Sequence, residues 1–108
     1  MEINFPTKEL RALCEEESYA AQQLDMKVAE ALKRRLADIM AADTIHDVMA
    51  GNPQLGSYDN VDCFHIDLGQ NFRLTVASNR KADRTAGSGT IDWTRVRRVR
   101  VVAVGPTQ

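Results

Sequence analysis

Little in this chain announces a chemistry. Among its 108 residues there are two cysteines, Cys14 and Cys63, and neither belongs to a CxxC or HxxxH pattern. That spacing supplies no metal centre, and it leaves a Cys14–Cys63 disulfide open without requiring one. Two buried, reduced thiols are the plainer reading and fit a reducing compartment. There is no Gly-rich phosphate loop, no GxSxG elbow and no HExxH pair. P-loop nucleotide hydrolysis, serine hydrolysis of the elbow type and helix-borne zinc proteolysis therefore have no support. No cofactor and no metal are expected. No run approaches the ~20 apolar residues that span a bilayer. The opening Met1-Glu2-Ile3-Asn4-Phe5 is acidic and too poor in apolar residues for a signal peptide, so a cytoplasmic protein with no membrane partner is expected. No internal repeat is visible.

What is present fits one domain over residues 1–108. An apolar fraction of 44% and a charged fraction of 27% allow a single modest core. The formal charge of −1 conceals an asymmetry. Residues 72–108 carry eight bases against two acids, a net of +6, and residues 1–71 carry six bases against thirteen acids, a net of −7. Seven of those eight bases are arginine, the side chain best shaped for bidentate phosphate contact. A polyanion-facing surface and a self-complementary one, hence self-association, both remain open, as does a strand edge defended by charge.

Periodicity gives an order of elements. Residues 2–5 alternate and predict a short first strand. Thr7 caps a helix whose apolar stripe runs through Leu10, Leu13, Cys14, Ala20, Ala21 and Leu24. Asp25 caps a second helix, to about Ala42, with Val28, Ala31, Leu32, Leu36 and Ile39 as its buried face and Glu30, Arg34 and Asp38 pairing on its wet one. The short join makes these an antiparallel hairpin. Thr44–Met49 adds a turn, and Gly51–Ser57 reads as a loop. Val61–Leu68 then alternates with period two, placing Cys63, His65 and Asp67 opposite Phe64, Ile66 and Leu68. Gly69-Gln70 is a hairpin signal, and Phe72–Ala77 is the partner strand, with Arg73 and Thr75 opposite Phe72, Leu74 and Val76. Residues 78–90 form a long polar loop. Ile91–Thr94 makes a short turn in which Trp93 packs, and Arg97–Val104 is an inner strand ended by Gly105-Pro106. The expected fold is α+β: an N-terminal strand and a two-helix antiparallel hairpin packed on a small antiparallel sheet.

Four segments carry a family resemblance. Lys8-Glu9-Leu10-Arg11-Ala12-Leu13-Cys14-Glu15 resembles the opening helix of the HigB-like, "plasmid maintenance killer" branch of the RelE/ParE toxin superfamily. Leu32-Lys33-Arg34-Arg35-Leu36-Ala37-Asp38 is similar to its second helix, and His65-Ile66-Asp67-Leu68-Gly69-Gln70-Asn71-Phe72-Arg73-Leu74 to its central hairpin. Gly89-Thr90-Ile91-Asp92-Trp93-Thr94-Arg95-Val96 is similar to the lead into its last strand. The resemblance implies a RelE/ParE-like fold and a toxin of a type II toxin–antitoxin pair: a ribosome-dependent mRNA endoribonuclease. A cognate helix-turn-helix antitoxin would neutralise it, and the ribosome and mRNA would be its other partners. Two other readings are a toxin-fold binding protein without catalysis and a ParE-like inhibitor of DNA gyrase.

Metal-free RNA cleavage needs a base for the ribose 2′-OH, a cation for the phosphate and an acid for the leaving 5′-oxygen. Arg73 stands at the family's strand arginine and takes the cation role. Family members often end the last strand in an Asp-Tyr-His type tail; here Val104-Gly105-Pro106-Thr107-Gln108 follows instead, so those roles do not carry over. His65 is the substitute acid or base because imidazole titrates near neutrality. Tyr58 and His46, in or beside loops, are lesser candidates. Lys33, Arg34 and Arg35 on the second helix, with Arg80, Lys81 and Arg84 in the polar loop, are the expected RNA-binding cations.

Overall fold

Thr7 starts the first helix: its hydroxyl accepts the Leu10 N–H at 3.1 Å, satisfying one of the donors that a helix start leaves open. In the computed structural model, which describes residues 1–80 and 91–107, the element order is β1 (Glu2–Asn4), α1 (Lys8–Glu15), α2 (Glu17–Gln23), α3 (Met26–Ala41), β2 (Gln54–Tyr58), β3 (Val61–Gly69), β4 (Phe72–Ser78) and β5 (Arg98–Pro106). Short 3-10 turns, Ile45–Asp47 and Trp93–Arg95, lie before β2 and before β5.

The chain is α+β, and three details differ from the sequence expectation. The first helix is broken. At Glu16 the backbone turns extended (φ −107°, ψ 106°), so α1 and α2 replace one helix and the hairpin becomes three helices. The run Glu15-Glu16-Glu17 explains the break. Carboxylates at a helix C-terminus oppose its dipole, and α1 has no basic residue in its last turn; restarting the helix puts Glu17 in a first turn, where a negative charge is favourable. Second, Gln54–Tyr58 is a strand rather than part of a loop. It is an edge strand with almost no buried side chain, so it carries no alternating apolar signature. Third, the sheet is mixed. Its order is β1-β5-β4-β3-β2, and β1 runs parallel to β5 while the other pairs are antiparallel.

Asp25 caps α3 through Lys27 N–H, and the buried residues of α3 are Val28, Ala31, Leu32, Leu36 and Ile39. That stripe covers one sheet face, where Phe64, Ile66 and Leu68 of β3, Leu74 and Val76 of β4, and Val99 and Val101 of β5 complete the core. Each such side chain contributes about 1.5–3 kcal/mol on full burial. Trp93 is buried at the end of this layer, its ring edge-on to Phe64 at 4.8 Å between centroids. The expected Glu30–Arg34–Asp38 ladder is replaced by other pairs: Asp38 meets Arg35 at 3.2 Å, and Lys33 reaches across to Glu17 of α2 at 2.6 Å. Gly51 locks α3 to β3. Its carbonyl accepts Asp67 N–H at 2.7 Å, and a Cβ there would lie 2.5 Å from Ile66 Cγ2 and 3.0 Å from Arg35 Cδ.

Candidate functional site

The helices cover one face of the sheet. The other face takes the alternate residues, and register decides which of them meet. Gln54, Gly56 and Tyr58 of β2 share that face with Val61, Cys63, His65 and Asp67 of β3 through the pairs Gln54–His65, Gly56–Cys63 and Tyr58–Val61. The pairs Cys63–Ala77, His65–Thr75 and Asp67–Arg73 extend it to β4. Ala77–Arg100, Thr75–Ala103 and Arg73–Gly105 extend it to β5. Between Thr75 and Val76 the β4–β5 register slips by one residue, and Val102 is the extra residue of this bulge.

His65 and Arg73, the two residues expected to carry catalysis, therefore stand on one face, diagonal to each other on neighbouring strands. His65 is held on both ring nitrogens. Nδ1 lies 2.9 Å from Thr75 Oγ1, and Nε2 lies 3.6 Å from Cys63 Sγ. Thr75 is 2% exposed, so its hydroxyl is a fixed partner. Gly56 supplies the room on the other flank: a Cβ there would lie 2.6 Å from His65 Cδ2 and 2.7 Å from Nε2. Burial lowers the His65 pKa below its ordinary value and the Arg73 charge lowers it further, while a hydrogen bond with the Ser57 backbone opposes both. The ring is consequently neutral at pH 7. Burial pushes the Cys63 thiol up to about 11, the Arg73 charge acting against this and Asp62 with it. A raised thiol beside a lowered imidazole favours the uncharged pair over a thiolate–imidazolium pair, which speaks against Cys63 as an activated nucleophile.

Arg73 is half-buried on this face, between Asp67 and Gly105. A Cβ built at Gly105 meets nothing within 4 Å, which leaves the β5 side of Arg73 open. Arg100 lies one row beyond Thr75 on the same face. Arg98 shares the face further along and pairs with Glu2, whereas Arg97 precedes the strand and donates to the Thr94 carbonyl.

The helix cations are not brought to this place. Lys33, Arg34 and Arg35 belong to α3, on the far side of the sheet, and Lys33 and Arg35 are engaged with Glu17 and Asp38. A single face joining them to Arg73 is not what the fold makes. Arg80 is exposed just past the end of β4, and Lys81 and Arg84 lie outside the described residues. His46 sits over the core side, its ring 6.2 Å from Phe64, away from Arg73. Tyr58 does reach the outer face. Thr75, Gly56 and Arg100 are the members that sequence reasoning did not place in the site. Period-two alternation alone puts Thr75 beside Arg73, but only the register brings its hydroxyl to His65.

The larger depressions are elsewhere. One of about 320 Å³ lies between α1, α2 and α3 and is mainly apolar, and one of about 900 Å³ lies between α1, α3 and β1. Neither includes His65 or Arg73, and volume alone does not outweigh a convergent polar cluster. Both cysteines are free thiols. Among the described residues no three His, Cys, Asp or Glu side chains are grouped to hold a metal ion, and no helix is long and apolar enough to cross a membrane. Comparison with protein-family models, with curated proteins and with solved structures returned no match.

Proposed function

We propose that this chain is a RelE/ParE-type toxin of the HigB-like branch, acting as a ribosome-dependent mRNA endoribonuclease that a cognate antitoxin neutralises. The observation that carries the reading is the placement of the His65 imidazole and the Arg73 guanidinium on one sheet face, with the helices on the other. In this reaction His65 takes the proton of a ribose 2′-OH. The 2′-oxygen bonds to the adjacent phosphorus as the bond from phosphorus to the 5′-oxygen breaks. Arg73 pairs with the phosphate oxygens as charge gathers there, and the leaving 5′-oxygen takes its proton from water. The low His65 pKa suits the base role, because the ring is already unprotonated at neutral pH. Thr75 positions the ring: in the tautomer whose Nδ1–H donates to the hydroxyl, Nε2 is the proton acceptor.

A second reading, a toxin-fold binding protein without catalysis, is favoured by one observation: both His65 nitrogens already have protein partners. mRNA cleavage on programmed ribosomes separates the two. Removing a positioned acid or base typically costs about 10²–10⁴ in rate, and removing a charge-stabilising donor about 10²–10³. Cleavage by the native chain that falls by such factors in His65→Ala and Arg73→Ala supports the nuclease. Folded native protein that cuts nothing leaves the binding protein.

A further inference from the structure

We infer that Cys63 Sγ and His65 Nε2 form a binding site for a zinc ion on the outer sheet face, and that the bound ion silences His65 as a base. The binding stands apart from the endoribonuclease reading; its consequence for cleavage rests on that reading.

The strand sets the site. Cys63 and His65 are two residues apart on β3, so both point to the outer face. The backbone that carries them is paired on both sides, to Gly56 and Gln54 of β2 and to Ala77 and Thr75 of β4. Their donor atoms lie 3.6 Å apart. Zinc binds thiolate at about 2.3 Å and imidazole at about 2.0–2.1 Å, and in tetrahedral geometry two such atoms lie about 3.5–3.6 Å from each other. The pair already spans one edge of a zinc tetrahedron. The same separation suits a thiol-to-imidazole hydrogen bond, and the ion takes the place of its proton. Sulfur and Nε2 each give a lone pair to the metal, and the thiol proton leaves to water.

The surroundings suit a metal as well. A ligating histidine donates its other ring N–H to an acceptor that fixes the ring. Here that acceptor is Thr75 Oγ1, 2.9 Å from Nδ1 on a side chain that is 2% exposed. The Ser57 backbone also bonds the ring in the sense that favours its charged form, so the acceptor is the carbonyl oxygen, a third donor atom close by. Gly56, directly across from Cys63, keeps that flank free of a side chain. Cys63 is fully buried and His65 half-buried, so the thiol is the inner ligand and the imidazole the one that water reaches. A thiolate with an imidazole selects zinc over magnesium or calcium, which take oxygen ligands. Two side chains are fewer than the three or four that hold a permanent ion, so this ion exchanges and acts as a brake on the site. The Arg73 charge reaches both ligands and opposes a cation there, which holds the affinity down.

Cobalt(II) added to the full, reduced chain is the first probe, because a thiolate on cobalt gives a charge-transfer band in the near ultraviolet. A saturable band is expected, and zinc should abolish it by displacement. Cys63→Ala should remove the band, and Cys14→Ala, on α1 across the sheet, should keep it. Thr75→Val removes the acceptor for Nδ1 and should weaken zinc by about 10- to 100-fold. Arg73→Gln should tighten it. Neither of these two changes a ligand, so both test the site even where Cys63→Ala fails to fold. No band in folded native protein, a band kept by Cys63→Ala, or a zinc affinity that Thr75→Val leaves unchanged overturns the inference. In the ribosome assay, zinc at its binding concentration should stop cleavage by the native chain, and cleavage indifferent to zinc overturns the silencing of His65. A band in a chain that cuts no mRNA leaves the metal site standing and removes the nuclease; cleavage by a chain without the band removes the metal site alone.

Discussion

Three glycines separate two costs of adding a methyl group. Gly51 and Gly69 have φ of +83° and +82°, a region in which an L side chain costs about 1–2 kcal/mol. They differ in surroundings. A Cβ at Gly51 would lie 2.5 Å from Ile66 Cγ2, 3.0 Å from Arg35 Cδ and 3.1 Å from the Asp67 carbonyl oxygen, whereas at Gly69 it meets nothing within 4 Å. Overpacking of the first kind typically costs a further ~1–3 kcal/mol. Gly105 has neither the positive φ nor the neighbours. Every Gly→Ala change also stiffens the unfolded chain, which favours folding by about 0.4–1 kcal/mol. The expected net effects are a loss of about 1–4.5 kcal/mol for Gly51→Ala, about 0–1.5 for Gly69→Ala, and no loss for Gly105→Ala. Against a typical stability of about 5–15 kcal/mol the first is large. Urea denaturation followed by Trp93 fluorescence reads these differences. With a slope of about 1–3 kcal/mol per molar urea, the Gly51→Ala and Gly69→Ala midpoints should lie on the order of 1 M apart. Coincident midpoints for those two would refute the docking of α3 on β3 through Gly51.

Two predictions concern the titrating groups. The His65 imidazole should titrate below the ordinary histidine value by NMR, and Arg73→Gln should move its pKa up by removing a positive charge from beside the ring. Because the folded pKa is depressed, the unfolded chain binds the extra proton first. Stability should therefore fall as pH drops from about 6.5 towards the folded pKa, and a flat profile over that window would count against the buried neutral ring. Burial pushes Cys14 up to about 12, with Glu15 adding to it, and Cys63 up to about 11. Both thiols should resist iodoacetamide at pH 8 in the folded protein and react once it is unfolded in urea; rapid labelling of the native chain would contradict the packing around them.

Local patterns with strong periods were legible in the sequence. The apolar stripe of α3 could be read because its residues recur over about three turns, and the Asp25 cap marks its start. Alternation in β3 and β4 gave the face shared by His65, Asp67 and Arg73. What depends on distant partners was not legible. β1 has three residues, and its direction is set by β5, more than ninety residues on, so nothing near it signals a parallel pair. β2 buries almost nothing, so its strand character comes from pairing with β3 alone. The site divides the same way. Which residues share a face follows from counting by two, but the contact between His65 and Thr75 needs a register that the β3–β4 turn determines. Charge was the least informative guide. Lys33, Arg34 and Arg35 read as a cationic cluster, yet composition does not say which layer a cluster joins, and they lie across the sheet from Arg73.

Whether β5 can supply an acid opposite Arg73 can be tested by placing an imidazole there. Gly105 is the residue directly across from Arg73, on the same face, with open space where a side chain would begin. Gly105→His would place an imidazole beside the phosphate that Arg73 is proposed to hold, with no steric cost at its Cβ. If His65 acts as base and water now protonates the 5′-oxygen, the second imidazole supplies an acid in its place. General acid catalysis of this kind contributes about 10²–10⁴ when well aligned, so a gain of about tenfold is the expectation for an unoptimised placement. The pH profile is the sharper readout. The native chain should show one ionisation, activity rising as His65 loses its proton, whereas Gly105→His should add a falling limb at higher pH as the new acid deprotonates. Gly105→Leu fills the same space without a proton and serves as the control. A variant that folds, cuts no faster and keeps the single ionisation would show that protonation of the leaving oxygen does not limit the reaction at this face, and would move attention from Arg73 to a different phosphate position.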